Sequence, residues 1–230
     1  APEDSLMPTQ INCPCAILSA YGDTPTATIK KAAEILANRV KSVVIGPGLD
    51  TSDSRNAPLL EYVIERAPRL VIDASALSIL ASNRMTGLLR SRTESGLEPA
   101  ILTPHIGEFK RFGYDGSIEE LEAKAQSFAT DNKCILLLKN HKTVINTPDG
   151  ECYINKGSNS GMAKGGSGDV LAGLIGGFLA SGFELEAAAQ AGVFIHSLAG
   201  QLAAKDLTEM AMLPTDVVDY LPEAYKELGW

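Results

Sequence analysis

Four cysteines in 230 residues (Cys13, Cys15, Cys134 and Cys152) are too few to staple a chain of this size. The close pair Cys13-Pro14-Cys15 has neither a zinc-ligand spacing nor a second cluster to complete one, so reduced thiols in a cytoplasmic protein are expected. Long apolar runs are also missing. The most apolar stretch, Val170 to Phe183, is interrupted by glycines and falls short of the roughly 20 residues that cross a bilayer, so no membrane helix is expected. The first fifteen residues, APEDSLMPTQINCPC, lack the basic region and continuous apolar core of a signal peptide. Positive charge is in deficit, with Lys+Arg 20 against Asp+Glu 28, a formal net charge of −8 and a pI near 4.9. That balance argues against non-specific attraction to nucleic acid or anionic lipid, and any phosphate bound here must be gripped locally. With 45% apolar residues and 21% charged, the composition excludes disorder and collagen-like repeats.

Periodicity organises the chain as an alternation of strands and helices. Thr26 to Val40 places apolar residues on one side at helical spacing and predicts a helix that covers a sheet. Ser42 to Ile45 is a short apolar run ending in Gly46-Pro47-Gly48, the pattern of a strand buried on both faces and closed by a tight loop. Leu59 to Ala67 then reads as helix, Arg69 to Ala74 as strand, Ala76 to Ala81 as helix and Pro99 to Thr103 as strand. Leu121 to Thr130 follows as helix and Cys134 to Lys139 as strand. Such alternation implies right-handed crossovers and a mainly parallel sheet with helices on both faces. Thr143 to Asn146 and Glu151 to Asn155 flank Thr147-Pro148-Asp149-Gly150, a strong turn signal, and predict an antiparallel hairpin. Helices over about Asp169 to Ala180 and Leu185 to Lys205 complete the pattern. No repeat, low-complexity tract or long linker divides the chain, so residues 1–230 are expected to form one unit.

The sharpest chemical signal is Gly161-Met162-Ala163-Lys164-Gly165-Gly166-Ser167-Gly168-Asp169 running into an apolar helix. Glycines let backbone N–H groups crowd around an anion, and a helix start aims its unpaired N–H groups and positive dipole end at the same point. No Gly-Lys-Ser/Thr follows at the P-loop spacing, so a different phosphate chemistry is indicated. Asp169 would lie beside a transferring phosphoryl group, where a carboxylate takes a proton from an attacking hydroxyl. The same residues also suit a plain turn in which Asp169 merely caps the helix.

Other candidates sit in loops after strand ends, where open α/β sheets hold ligands. These are Gly46-Pro47-Gly48-Leu49, Thr103-Pro104-His105-Ile106-Gly107-Glu108 and Lys139-Asn140-His141-Lys142-Thr143, which should meet at one sheet edge. The His105 imidazole is expected to point off the strand end. Glu108 suits Mg2+ held through water, or equally an acid favoured by a helix dipole. Lys139 and Lys142 offer cations to a polyphosphate, or are simply solvated. Asp73, at the end of LVID, either touches ligand or pins a loop, and His196 reads as a packing histidine on an apolar helix.

Taken in order, GPGL, LTPHIGEF, LLLKNHKTVI, the hairpin, SNSGMAKGGSGDVLAG and HSLAG resemble the ADP/ATP-dependent NAD(P)H-hydrate dehydratases of the ribokinase-like superfamily, from about Lys41 onward. The resemblance implies a three-layer α/β sandwich. It also implies repair of hydrated NADH and NADPH (NADHX and NADPHX): a nucleotide, ADP or ATP, phosphorylates the ring hydroxyl and phosphate then leaves. By motif, Asp169 corresponds to the family's base, with Gly48 and His105 alongside it on the hydrated cofactor. Lys139, Asn140, His141, Lys142 and Thr143, with Gly168, would hold the AMP portion, and Gly165, Gly166, Ser167 and Gly168 the anion hole. The superfamily's Mg2+ motif corresponds to His105 to Glu108, which implies Mg2+ at Glu108. A homo-oligomer, with a tetramer favoured, is implied as well.

Three departures stand out: Ser75 in place of a second Asp, Asn140 in place of Gly, and Lys164 in place of a frequent Thr, where it would add a cation near the phosphates. Relatives also open with a strand, loop, helix and strand that have no counterpart here, and a separate segment is expected to supply them. Two other readings fit the same motifs, a kinase of the superfamily acting on a vitamin precursor or sugar, and a non-catalytic nucleotide-binding module.

Overall fold

The computed structural model describes residues 3–157 and 159–230. Ser158, with which SNSGMAKGGSGDVLAG begins, lies outside the described residues, as do Ala1 and Pro2. Strands β1 (Val43–Ile45), β2 (Leu70–Ile72), β3 (Ile101–Leu102) and β4 (Ile135–Lys139) pair in parallel in that order. β5 (Thr143–Asn146) and β6 (Cys152–Asn155) extend the sheet antiparallel as the expected hairpin. Its turn closes through Gly150 N–H to the Thr147 carbonyl, with Gly150 at φ 95°.

Helices α1 (Leu6–Asn12) and α2 (Pro25–Leu36) precede the sheet. The crossovers carry α3 (Asn56–Arg66), α4 (Ala74–Ser82), α5 (Gly87–Glu94), α6 (Ile106–Lys110) and α7 (Ile118–Asn132). After the hairpin come α8 (Ser167–Ala180), α9 (Leu185–Ala211), α10 (Pro214–Asp219) and α11 (Leu221–Glu227). No helix among the described residues is long and apolar enough to cross a membrane.

The alternation of side chains along each strand divides the core into two layers. Leu70, Ile72, Leu102, Leu136 and Leu138 face one side, packed with Leu60, Ile64, Leu77, Leu80 and Phe128 from the crossover helices. Val71, Ile101, Ile135, Leu137 and Ile145 face the other, against Leu171, Ile175, Val193 and Ile195 of α8 and α9. Burial of each such side chain is worth roughly 1.5–3 kcal/mol, which is why the central strands read as unbroken apolar runs. The result is the expected three-layer α/β arrangement.

Three local expectations need correction. α2 ends at Leu36 instead of Val40, the chain turns through Arg39 at φ 25°, and the helix packs chiefly on α3 rather than on the sheet. β1 is not buried on both faces, because it forms the sheet edge and Val44 is 37% exposed. α9 continues beyond Lys205 to Ala211, through a break at Thr208 (φ 70°).

Candidate active site

The parallel strands all end at one sheet edge, and backbone hydrogen bonds knit their exit loops together. Asp73 N–H donates to the Ile45 carbonyl (3.0 Å), Thr103 N–H to Ile72 (3.2 Å) and Lys139 N–H to Pro104 (2.8 Å). The three candidate loops therefore meet as expected. Gly46, at φ 131°, lets the first loop pass directly over the chain leaving β2, since a Cβ built there would stand 1.7 Å from the Asp73 carbonyl oxygen. Gly48, at φ 73°, instead faces open space.

Asp73 ends the second strand, 1% exposed. Its Oδ1 accepts the Thr103 hydroxyl at 2.7 Å and pairs with the Lys139 ammonium at 2.9 Å. Ala74, the next residue, has φ 48°, a conformation that L residues rarely adopt and that costs on the order of 1–3 kcal/mol. It survives because the Asp73 carboxylate and carbonyl are both fixed by neighbours.

The first turn of α8 arrives at the same edge. Its N-cap is Gly166 in a left-handed conformation (φ 101°), and no side chain caps the helix, which leaves its first N–H groups available to an anion. Gly165 is open, and a Cβ on Gly168 would stand 3.0 Å from the Lys139 Nζ, so the ammonium lies close against the helix start and a methyl there would displace it by a few tenths of an ångström. Asp169 lies exposed in this first turn. Partial burial and the Asp73 charge raise its pKa above the ordinary 3.8, while the Lys139 charge acts in the opposite sense. A carboxylate with a raised pKa is a better proton acceptor near neutral pH.

His105 caps α6: its Nδ1 accepts Gly107 N–H at 2.9 Å and Glu108 N–H at 3.3 Å, and its largely exposed ring points off the strand end. Glu108 is buried, and its Oε2 accepts the His105 N–H at 2.9 Å in a reciprocal capping box. The rest of the Lys139 to Thr143 stretch has other partners or none at this edge. Asn140 and His141 are exposed, Thr143 pairs with Asn155 in the sheet, and Lys142 forms an ion pair with Glu122 of α7 at 3.2 Å.

Lys164 does not add a cation near the phosphates. Its ammonium donates to the carbonyls of Glu209 (3.3 Å), Met210 (3.1 Å) and Met212, at the C-terminal end of α9. Three carbonyls that follow the break at Thr208 hold it.

Two groups have roles at the site beyond those read from the sequence, which makes Thr103 only part of a candidate loop and His196 a packing histidine. Thr103 fixes Asp73, a role that the hydroxyl before Pro104 hints at only once Asp73 is known to end the adjacent strand. His196 on α9 lies against Ser167 beneath the first turn of α8, and burial together with the Lys139 charge lowers its pKa from 6.5 to about 4. Its Nε2 and the Ser167 hydroxyl are both buried without a partner among the described residues.

Among known proteins, the family described as NAD(P)H-hydrate dehydratase (Carb_kinase) matches residues 6–223, beginning well before Lys41. A bifunctional NAD(P)H-hydrate repair enzyme from Moorella thermoacetica is 36% identical over 219 residues, covering 90% of this chain and 39% of that protein. An ADP-dependent (S)-NAD(P)H-hydrate dehydratase from Bacillus subtilis is 31% identical over 202 residues, covering 86% of this chain and 68% of the relative. The chain thus spans about two fifths of the length of the bifunctional relatives that it matches. A crystal structure of the Bacillus subtilis ADP/ATP-dependent NAD(P)H-hydrate dehydratase, co-crystallised with ATP/Mg2+, superposes with a TM-score of 0.78 at 29% identity, over 98% of this chain and 76% of that one.

Proposed function

The chain belongs to the NAD(P)H-hydrate dehydratase family, and from that premise we propose that it regenerates NADH and NADPH from NADHX and NADPHX at the expense of ADP or ATP. The observation that carries this reading is the convergence of an uncapped, glycine-lined helix start with the Asp169 carboxylate, at the edge where Gly48 and His105 also emerge. The glycines Gly165, Gly166 and Gly168, with Ser167, cradle the donor phosphates through backbone N–H groups. Asp169 accepts the proton of the ring hydroxyl as its oxygen attacks the terminal phosphorus. Phosphate then departs from the ring carbon, and loss of the neighbouring C–H proton restores the double bond. Gly48 offers a surface free of side chain, and His105 an exposed imidazole, to the hydrated ring, while Lys139 to Thr143 take the nucleotide.

No cluster of three His, Cys, Asp or Glu among the described residues is arranged to hold a metal ion. Mg2+ fits this edge only as a companion of the nucleotide phosphates, with Glu108 reaching it through water because Oε2 already accepts the His105 amide. When bound, Mg2+ would neutralise phosphate charge. The reading further takes the enzyme as cytoplasmic and homo-oligomeric, with a tetramer expected, which sedimentation measures directly.

The test is incubation with NADHX and either ADP or ATP, following recovery of NADH absorbance. A stable phosphorylated alcohol without recovered NADH would turn the assignment toward a kinase. Nucleotide binding without turnover, unchanged by Asp169→Ala, would turn it toward a binding module.

A further inference from the structure

We propose that the Lys139 ammonium, parked by Asp73 and Thr103 against the first turn of α8, contacts the terminal phosphate being transferred and not the AMP portion of the nucleotide. The inference rests on the nucleotide-dependent reading above and assigns one residue of that site a specific task.

Three observations carry it. First, the ammonium is fixed in place: the same Asp73 oxygen that takes Nζ at 2.9 Å takes the Thr103 hydroxyl at 2.7 Å, and the Lys139 side chain is only 18% exposed. One N–H is committed to Asp73, which leaves the others for a ligand. Second, Nζ would lie 3.0 Å from a Cβ on Gly168, so the cation is flush with the uncapped N–H groups of α8, where a phosphate is favoured. Third, the other members of the Lys139 to Thr143 stretch have different surroundings, although Thr143 pairs with Lys139 in the sheet. Lys142 turns to Glu122 of α7, and Asn140 and His141 are exposed at the hairpin tip. Lys139 is the member of that stretch which reaches the helix mouth beside Asp169.

The step then balances as follows. The bond from the terminal phosphorus to the bridging oxygen breaks, and that oxygen leaves with the electron pair as part of AMP or ADP. A bond forms from phosphorus to the substrate hydroxyl oxygen, whose proton passes to Asp169. Lys139 takes no part in the proton transfer, and its ammonium offsets the charge on the transferring oxygens. Asp73 is a positioning residue: buried and held by Thr103, it prevents the flexible lysine from swinging into solvent.

The test compares AMP with ADP binding by calorimetry in the absence of hydrate. Lys139→Met alone leaves the Asp73 carboxylate buried without its cation, so the variant to use is Asp73→Asn with Lys139→Met, its folding checked by thermal melting. The expected result is AMP affinity within about twofold of the parent, with the advantage of ADP over AMP reduced by about tenfold or more. Lys139→Arg, which keeps the charge, should retain part of that advantage, and Asp73→Asn alone should give an intermediate loss. Equal weakening of AMP and ADP would overturn the proposal, as would an undiminished ADP advantage in the double variant. Because no hydrate is present, a parent chain without dehydratase turnover would sink the functional reading and leave this comparison decisive. A parent chain that binds neither nucleotide would sink both.

Discussion

Replacing His196 by Gln should flatten the dependence of stability on pH. The imidazole sits 9% exposed beneath the start of α8, and its pKa falls from 6.5 to about 4, mainly because burial penalises the charged form, with the Lys139 charge adding to the effect and the Ser167 backbone opposing it. The unfolded chain therefore takes up a proton between those two values while the folded chain does not, so stability drops as pH falls through that window. A shift from 6.5 to about 4 amounts to about 3 kcal/mol once the pH is below both values, and about 2 kcal/mol of it is lost between about pH 7 and about pH 5. The assay is urea unfolding of the parent and of His196→Gln at those two pH values. Carboxylates such as the exposed Asp50, Asp115 and Glu119 and the partly buried Asp53, whose pKa values are lowered by hydrogen bonds, are common to both proteins and cancel in the difference. The parent should lose about 2 kcal/mol more than the variant. Parallel losses would show that the histidine is hydrated or already charged in the folded state, and the reasoning would fail.

The remaining predictions concern the site. Asp169→Asn should lower turnover by about 10²–10⁴-fold with ADP binding largely kept, because the carboxylate acts on the hydroxyl while backbone groups hold phosphate. In the parent, kcat/KM should fall on acidification, starting above the pH at which an ordinary aspartate protonates, since the Asp169 pKa is raised; a pH–rate profile flat down to that value would contradict the assignment. Gly168→Ala puts a methyl 3.0 Å from the Lys139 Nζ, so melting temperature should hold or rise slightly while turnover falls by about tenfold, measured side by side. Gly46→Ala forces a side chain to φ 131° and to within 1.7 Å of the Asp73 carbonyl oxygen, and denaturant titration should show a loss of about 3 kcal/mol or more.

Strands and long helices were legible in the sequence because their residues see mostly one kind of neighbour. LVI of β2 and ILLL of β4 are buried on both faces and read as continuous apolar runs. Pro-Asp-Gly sets the hairpin turn by its own backbone preferences. What escaped was decided by distant partners. α6 has five residues, holds Gly107 in its first turn and is capped by a histidine, so it offers neither periodicity nor a usual cap. α5 turns on Arg92, whose guanidinium is buried and donates to the carbonyls of Glu98, Ile64 and Pro68, contacts that no local pattern announces. β1 looked like a central strand because Val43 to Ile45 is apolar, but burial on both faces depends on the place of a strand in the sheet, and this one forms the edge.

The two lysines beside the glycine loop make the same point about charge. Lys164 is adjacent to the phosphate seat in sequence, and Lys139 is 29 positions before Gly168. Proximity along the chain favours the first; the fold brings the second to the start of α8. Lys164 has the carbonyls of Glu209, Met210 and Met212, beyond the break at Thr208, within reach, and three acceptors outcompete solvent. Lys139 leaves the last residue of a rigid central strand, so its direction is set by the sheet, and a buried carboxylate two strands away fixes its tip. In a protein with a net charge of −8, the long-range field opposes an incoming polyphosphate, and screening confines that opposition to about 10 Å at ordinary salt. Within that distance Asp73 already balances the Lys139 charge and Asp169 adds a negative one, so an anion proposed to bind here would depend on directed donors, the free N–H groups of the ammonium and of the uncapped helix start, and not on the local net charge.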